Sequence, residues 1–442
     1  MGRRLAVFGT GYLGATHAAC MAQLGHSVLG VDVDPAKLAK LSAGEVPFFE
    51  PGLDVVLKDA VESGRLNFTS SYAEAAEFAD AHFIAVSTPQ KHGEFAADLT
   101  YVESVVTELA PLLRKPAVIF GKSTVPVGTA ARLADIARRL APARDDVEVA
   151  WNPEFLREGF AVQDTLHPDR IVLGLESGRG GNAEALAREI YQSMIGAGVP
   201  FLVTNRETAE LAKTAANAFL ATKISFINAM AEICEVSGAD VVELADAIGH
   251  DDRIGRKFLN AGIGFGGGCL PKDIRALMAR AGEVGASQVL TLLREVDSIN
   301  MRRRTRIAEL ARDLAGGSLI GTRVAVLGAA FKPNSDDIRD SPALNIAGTM
   351  QLQGASVTVC DPKAIDNARK QFPTLRYTND VREACKGVDV TLVLTEWDEF
   401  KALVPADLDP VVRARRIIDG RNCLNKDEWR AAGWTFSGVG VQ

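Results

Sequence analysis

Cysteine and aromatic residues are scarce in this chain: six cysteines, and aromatics at 6% of 442 residues. The cysteines (Cys20, Cys234, Cys269, Cys360, Cys385, Cys423) are scattered, with no CxxC pair and no metal-ligand spacing, which excludes a disulfide scaffold and predicts no metal site. No apolar run is long enough to cross a bilayer, and Met1-Gly2-Arg3-Arg4 leads into a strand rather than a signal-peptide core. These absences predict a cytoplasmic chain with free thiols and no membrane anchor. Excess positive charge is missing too. A net charge of −7 argues against a nucleic-acid surface, while a small anionic ligand needs only a local basic pocket. What is present, 47% apolar and 24% charged residues, is ordinary for a soluble globular protein. The length allows two or three domains.

The first of these opens with an apolar strand, Arg4 to Phe8, followed by Gly9-Thr10-Gly11-Tyr12-Leu13-Gly14 and a helix-like run from Ala15 to Leu24. A second strand runs from Ser27 and meets an acid at Asp32. Strand, GxGxxG, helix, strand and acid in one compact unit form a dinucleotide-binding fingerprint. The glycines permit a tight turn and close approach of a pyrophosphate to the helix N-terminus. Asp32 is placed to accept from a ribose 2′-OH and would repel a 2′-phosphate, which predicts NAD over NADP; Lys37 is the counter-signal. Further strands end at Ser87-Thr88-Pro89 and Ser123-Thr124-Val125-Pro126, at the edge where such sheets bind ligands. Those hydroxyls fit ribose, nicotinamide or water, and equally a helix cap. In Asn152-Pro153-Glu154-Phe155-Leu156-Arg157-Glu158-Gly159, the two glutamates would share a face on a helical turn, either as a solvated pair or for acid/base work.

Two long helical patterns, Glu207 to Ser237 and Ser287 to Leu314, follow without internal proline. They predict a helical connector that dimerises. Lys213 and Asn217 stand four apart, with Glu210 one turn earlier, so a lysine and an amide would face one way and could stabilise an oxyanion. Arg253, Arg256 and Lys257 precede the densest glycine run, Gly264-Phe265-Gly266-Gly267-Gly268-Cys269-Leu270-Pro271-Lys272-Asp273, and such cations suit phosphate. The run starts a helix. Cys269 at its N-terminus would be favoured as a thiolate, with Lys272 and Asp273 within a turn; it is the expected nucleophile. The last part repeats a βαβ outline at Thr322–Leu327, Pro342–Gln353 and Ser356–Cys360 but lacks the three-glycine fingerprint. Lys332, Arg339 and Arg421 lie at or near its strand ends, fit for a diphosphate. The expected architecture is α/β: two Rossmann-like, doubly wound parallel-sheet domains, 1–204 and 315–442, joined by a helical segment, 205–314.

Together these motifs resemble the UDP-glucose/GDP-mannose dehydrogenase family, and within it the UDP-glucose 6-dehydrogenases, over essentially the whole length. The likeness rests on Gly9-x-Gly11-Tyr12-x-Gly14, Ser123 to Pro126, Asn152 to Gly159, Glu210-x-x-Lys213-x-x-x-Asn217, Gly264 to Asp273 and Phe331-Lys332. It implies a four-electron oxidation of a sugar C6 alcohol to a carboxylate with two NAD in turn, through a thiohemiacetal and a thioester on Cys269. By the same resemblance Lys213 and Asn217 steady oxyanions, Asp273 with Thr124 holds a proton-relaying water, and Glu154 serves hydrolysis. Glu158 and Arg339 match NAD contacts, beside Tyr12, Leu13, Lys37, Thr88 and Pro89. Phe155, Leu156, Arg253, Lys332, Arg421 and the stretch Phe258-Leu259-Asn260 to Phe265-Gly266 match the substrate side, with UDP-glucose the expected sugar in a chain at least dimeric. Gly268 departs from the serine or tyrosine common there, as does Asn422-Cys423 after Asp-Gly-Arg. GDP-mannose or a UDP-N-acetylhexosamine is the alternative substrate. A one-step hydroxyacid-type dehydrogenase and a non-catalytic NAD-binding protein are the more distant readings.

Overall fold

The computed structural model describes residues 2–176 and 180–441. The chain divides into two compact units, residues 1–216 and 217–442, and the division falls inside one uninterrupted helix, Arg206–Ser237.

Unit 1 is built on β1 (Arg4–Phe8), β2 (Ser27–Val31), β3 (Leu66–Thr69), β4 (Ala81–Ile84), β5 (Ala117–Gly121), β6 (Val147–Trp151), β7 (Ile171–Leu175) and β8 (Phe201–Asn205), in the order β3-β2-β1-β4-β5-β6-β7-β8. The first six run parallel, as the βαβ pattern requires; β7 meets β6 antiparallel, and β8 pairs parallel with β7. In β1, Leu5 and Val7 enter one core cluster while Ala6 and Phe8 enter another. Both faces of the sheet are therefore covered, which explains near-continuous apolar strands rather than alternating ones.

Unit 2 carries a second sheet of β9 (Arg323–Leu327), β10 (Ser356–Cys360), β11 (Arg376–Thr378), β12 (Val390–Val393), β13 (Arg416–Asp419) and β14 (Thr435–Gly438), all parallel, in the order β11-β10-β9-β12-β13-β14. Ahead of it lie the rest of Arg206–Ser237 and the helices Val241–Gly249, Leu270–Glu283 and Ser287–Leu314. The last of these has the bounds its pattern predicts. Among the described residues no helix is long and apolar enough to cross a membrane.

Candidate active site

In unit 1, Gly9 leaves β1 at φ +88° and donates to Val31 O at 2.8 Å. A Cβ on Gly14 would lie 1.7 Å from Gly9 O, so helix and strand approach as closely as glycine alone permits. Gly11 caps the helix Tyr12–Gln23 without a side-chain bond, and a Cβ there would meet nothing within 4 Å. The helix thus starts without a side-chain cap and with open space at Gly11, which fits a pyrophosphate. At the end of β2, Asp32 accepts from Thr10 N at 2.8 Å, Thr10 Oγ1 at 2.7 Å and Asp34 N at 3.1 Å. Lys37 Nζ adds an ion pair at 2.9 Å. Burial works to raise the Asp32 pKa, but Lys37 and Thr10 outweigh it and hold the carboxyl below its ordinary value. Across the same strand edge, Thr88 Oγ1 donates to Thr124 O at 2.8 Å, next to Pro89. This edge fits a dinucleotide.

The same unit brings Glu154 to Lys213. Their ion pair spans 3.1 Å, with side chains 12% and 5% exposed. The lysine is therefore no surface residue; it also lies 5.7 Å from the Phe155 ring centre, which Arg170 covers at 3.8 Å. One local expectation fails. Residues 152–157 form no helix, so Glu154 and Glu158 do not share a helical face. Distant partners fix this loop at both ends. Asn152 Oδ1 accepts from Lys122 Nζ at 3.0 Å and Tyr191 Oη at 2.7 Å, and its Nδ2 donates to Val172 O at 2.8 Å. Glu50 accepts from Gly159 N at 2.7 Å and Ala161 N at 2.8 Å. Glu154 Oε2 accepts from Leu156 N at 2.7 Å, which turns the loop back on itself. Burial lowers the Lys122 pKa to about 8, against the attraction of Glu154. Lys122, Tyr191 and Glu50 escape a reading of the sequence. For Glu50 the signal was a carboxylate inside the apolar run Val46-Pro47-Phe48-Phe49-Glu50-Pro51.

In unit 2, Cys269 caps the helix Leu270–Glu283, with Pro271 in its first turn. It is the exposed cysteine of the six; four are buried and Cys423 is intermediate. Burial pushes the thiols of Cys20, Cys360 and Cys385 up to about 12 and raises those of Cys234 and Cys423. A thiol at a helix N-terminus stands in the opposite environment. One turn on, buried Asp273 accepts from Asn217 Nδ2 at 2.7 Å and pairs with Lys272 Nζ at 2.6 Å.

The glycine loop before Cys269 is clamped. Asn300 receives Phe265 N at 2.7 Å and donates to Phe265 O at 3.1 Å; Arg304 donates to the same carbonyl at 3.1 Å and pairs with Asp340 at 2.7 Å. Gly267 N donates to Arg339 O at 2.8 Å. A Cβ on Gly266 would lie 2.3 Å from Asp340 O, and one on Gly268 would lie 2.2 Å from Arg339 Cζ. The glycine at 268 is what lets the guanidinium rest on this loop, braced by Asp337 at 2.7 Å. Asn300 and Arg304, inside an unremarkable helical pattern, carry no sequence signal for this work.

Arg421 gathers the loop ends around it, donating to Leu394 O at 2.9 Å, Gly264 O at 3.3 Å and Phe331 O at 3.3 Å. Lys332 Nζ stands 5.4 Å from the Phe331 ring centre. Phe258 adopts φ +66°, Leu259 is buried, and Asn260 accepts from Arg256 at 2.7 Å. Arg253 stands apart, its side chain 89% exposed and paired with Asp251 at 2.6 Å.

Comparison with known proteins agrees with both halves. Residues 3–195 match the NAD binding domain of the UDP-glucose/GDP-mannose dehydrogenase family, 207–302 its central domain and 325–426 its UDP binding domain. The chain is 42% identical to a UDP-glucose 6-dehydrogenase of Rhizobium meliloti, with 99% of each chain covered. It is also 42% identical to UDP-glucose 6-dehydrogenase TuaD of Bacillus subtilis, with 99% of this chain and 93% of that one covered. Among solved structures it resembles a UDP-glucose dehydrogenase of Pyrobaculum islandicum, with TM-score 0.91, 35% identity, and 100% of this chain and 98% of that one covered. A UDP-D-ManNAc dehydrogenase of Pyrococcus horikoshii gives TM-score 0.87 at 28% identity, with 99% of each chain covered. With three successive domain models matched and relatives aligned from end to end, the chain belongs to the UDP-glucose/GDP-mannose dehydrogenase family.

Proposed function

We propose that this protein oxidises UDP-glucose to UDP-glucuronate with two NAD per sugar. The observation that carries the chemistry is the separation of the thiols: Cys269 alone is exposed and caps a helix, while burial raises the pKa of the other five. When bound, NAD accepts a hydride from sugar C6 in each of two rounds. The Cys269 thiolate adds to the aldehyde carbon left by the first round, forming a C–S bond and a thiohemiacetal. Loss of the second hydride makes this a thioester. Water then attacks the thioester carbon, the C–S bond breaks, and the carboxylate leaves with the thiolate restored.

Lys213 and Asn217 stabilise the negative oxygen on C6. Asp273, oriented by Asn217 and Lys272, holds with Thr124 the water that takes up the alcohol proton. Glu154, paired to Lys213 in unit 1, deprotonates the hydrolytic water. Asp32 and Lys37 hold the adenosine ribose, Glu158 stands near the nicotinamide, and Arg339 adds a further NAD contact. Arg421, Lys332, Phe265 and the Phe258–Asn260 turn hold the UDP-sugar. UDP-glucose is favoured over an N-acetylated UDP-sugar by 35% identity to the solved UDP-glucose dehydrogenase against 28% to the solved UDP-D-ManNAc enzyme.

A homodimer is part of this reading. Phe219, Phe226 and Ile233 recur every seven residues on Arg206–Ser237 and are 66%, 47% and 55% exposed, the spacing of a helix-pairing seam. Sedimentation of wild type and Phe226→Asp checks it; a monomeric wild type ends this part.

Counting NADH per UDP-glucose consumed tests the chemistry. About two is expected for covalent double oxidation. About one means that an aldehyde escapes and Cys269 has no such role. No NADH with UDP-glucose, but turnover with GDP-mannose or an N-acetylated UDP-sugar, moves the substrate within the family.

A further inference from the structure

Two loops and one helix turn of unit 1 carry the groups assigned above: Ser123–Gly128 with Thr124, Asn152–Gly159 with Glu154, and the turn of Arg206–Ser237 with Lys213. The first of these is tied to the third by one side chain. The helix Thr129–Leu140 begins directly after Gly128, which sits in the left-handed region at φ +96° and supplies no side-chain cap. Its leading N–H groups would be orphaned. A carboxylate from far along the chain satisfies them. Glu210, 1% exposed, accepts from Gly128 N at 2.7 Å through Oε2 and from Ala130 N at 2.6 Å through Oε1.

Both oxygens are spent on the backbone of another element, so this is a two-point tie rather than a single contact. The other end of the same loop is also fixed. Ser123 Oγ donates to Val86 O at 2.7 Å, and Thr88 Oγ1 holds Thr124 O at 2.8 Å. Lys213 lies three residues after Glu210, on the same helical face, and reaches Glu154 at 3.1 Å. One turn of Arg206–Ser237 therefore grips the Thr124 loop with one residue and the Glu154 loop with the next.

We propose that Glu210 is a positioning residue that sets the Thr124 loop against Lys213, and that this is why a glutamate stands three residues before that lysine. The proposal rests on the function given in the preceding section. Glu210 touches neither sugar nor cofactor; it fixes the distance over which a water is handed between the groups that do. Loss of the tie slows the proton-transfer steps and leaves ligand binding in place.

Glu210→Ala and Glu210→Gln test this, the second keeping size and one acceptor oxygen in case the first fails to fold. In both, amide hydrogen exchange without ligands should quicken at Gly128 and Ala130 while the helix Tyr12–Gln23 keeps its protection. With UDP-glucose and NAD, kcat for Glu210→Ala should fall about tenfold or more, with both KM values within about threefold of wild type and Glu210→Gln between the two. Unchanged exchange at Gly128 and Ala130 overturns the proposal whatever the sugar. Faster exchange with unchanged kcat overturns it too, since the loop's place would then not matter. Equal losses in KM, kcat and protection throughout unit 1 reduce Glu210 to general scaffolding. The wild-type NADH count is independent of all these outcomes, so a wrong substrate and a wrong role for Glu210 are told apart.

Discussion

The two sheets share one strand order, β3-β2-β1-β4-β5-β6 in unit 1 and β11-β10-β9-β12-β13-β14 in unit 2, yet they use the same topological edge in opposite ways. In unit 1 the helix Tyr12–Gln23 starts almost at once after β1, with no side-chain cap. In unit 2 the chain leaves β9 at Leu327 and begins no helix until Pro342; the intervening excursion carries Lys332 and Arg339. The acid after the second strand differs as well. Asp32 is buried at 8% exposure and pairs with Lys37, whose side chain is 29% exposed. Asp361 is fully buried and accepts from Ala329 N, Ala330 N, Lys363 N, Ala364 N and Trp397 Nε1. A shared topology thus supplies one edge where a helix follows the first strand at once and another where the chain makes a long excursion and its own donors take up the acid.

Breaking that contrast most severely is Gly14→Val. The new side chain must displace Gly9 O, so NAD affinity measured by titration calorimetry should drop by about a hundredfold or more. In unit 2, Ala330→Gly, at the position that corresponds to Gly11, should cost only about 0.5–1 kcal/mol of stability and leave NAD affinity unchanged; a comparable loss of NAD affinity there would dissolve the distinction. Next come the two acids. Removing Asp361 leaves several buried donors unpaired and should cost about 3–4 kcal/mol in urea unfolding. Asp32→Ala should cost about 1.5–2 kcal/mol, since it leaves fewer donors unpaired than loss of Asp361 does, and should weaken NAD more than it weakens the fold. A larger stability loss at Asp32 than at Asp361 contradicts the reading.

Titration sharpens the comparison further. The folded pKa of Asp32 is lowered by Lys37 and Thr10 against the effect of burial. Its stabilisation is present above the unfolded carboxyl range near about 4 and is lost as pH falls through the lower folded value. Wild type should therefore lose more stability below about pH 4 than Asp32→Asn does; parallel curves would show no such linkage. The smallest effect is expected from Lys37→Ala. Freed of its partner, Asp32 should repel a 2′-phosphate more strongly, raising the preference for NAD over NADP by a few-fold, roughly 1 kcal/mol. A fall in that preference would mean that Lys37 does not serve to neutralise Asp32.

Patterns with local causes were legible in the sequence. The GxGxxG turn, the strand-end acid, Cys269 at a helix start and the bounds of Ser287–Leu314 all follow from spacing and composition. What escaped was set by partners far along the chain. Glu154 and Glu158 have helical spacing, but the loop they occupy is fixed at both ends by Lys122, Tyr191 and Glu50. The spacing of Lys213 and Asn217 was legible, but not the carboxylate of Glu154 that pairs with the lysine inside unit 1. The clamp of Asn300 and Arg304 on Phe265 joins residues that no local period connects. Side-chain-to-backbone bonds across such separations leave no periodic trace.

Trp397, bonded to Asp361 at 3.2 Å, has a bearing on engineering. Writing three glycines back after β9 would not recover a second dinucleotide pocket, because the indole already occupies the acid that a ribose would need. The reconstruction would have to begin after β12, the strand next to β9, with a smaller side chain in place of Trp397. A conversion of this fold from one ligand to another is therefore ordered: the tenant is evicted before the lock is changed.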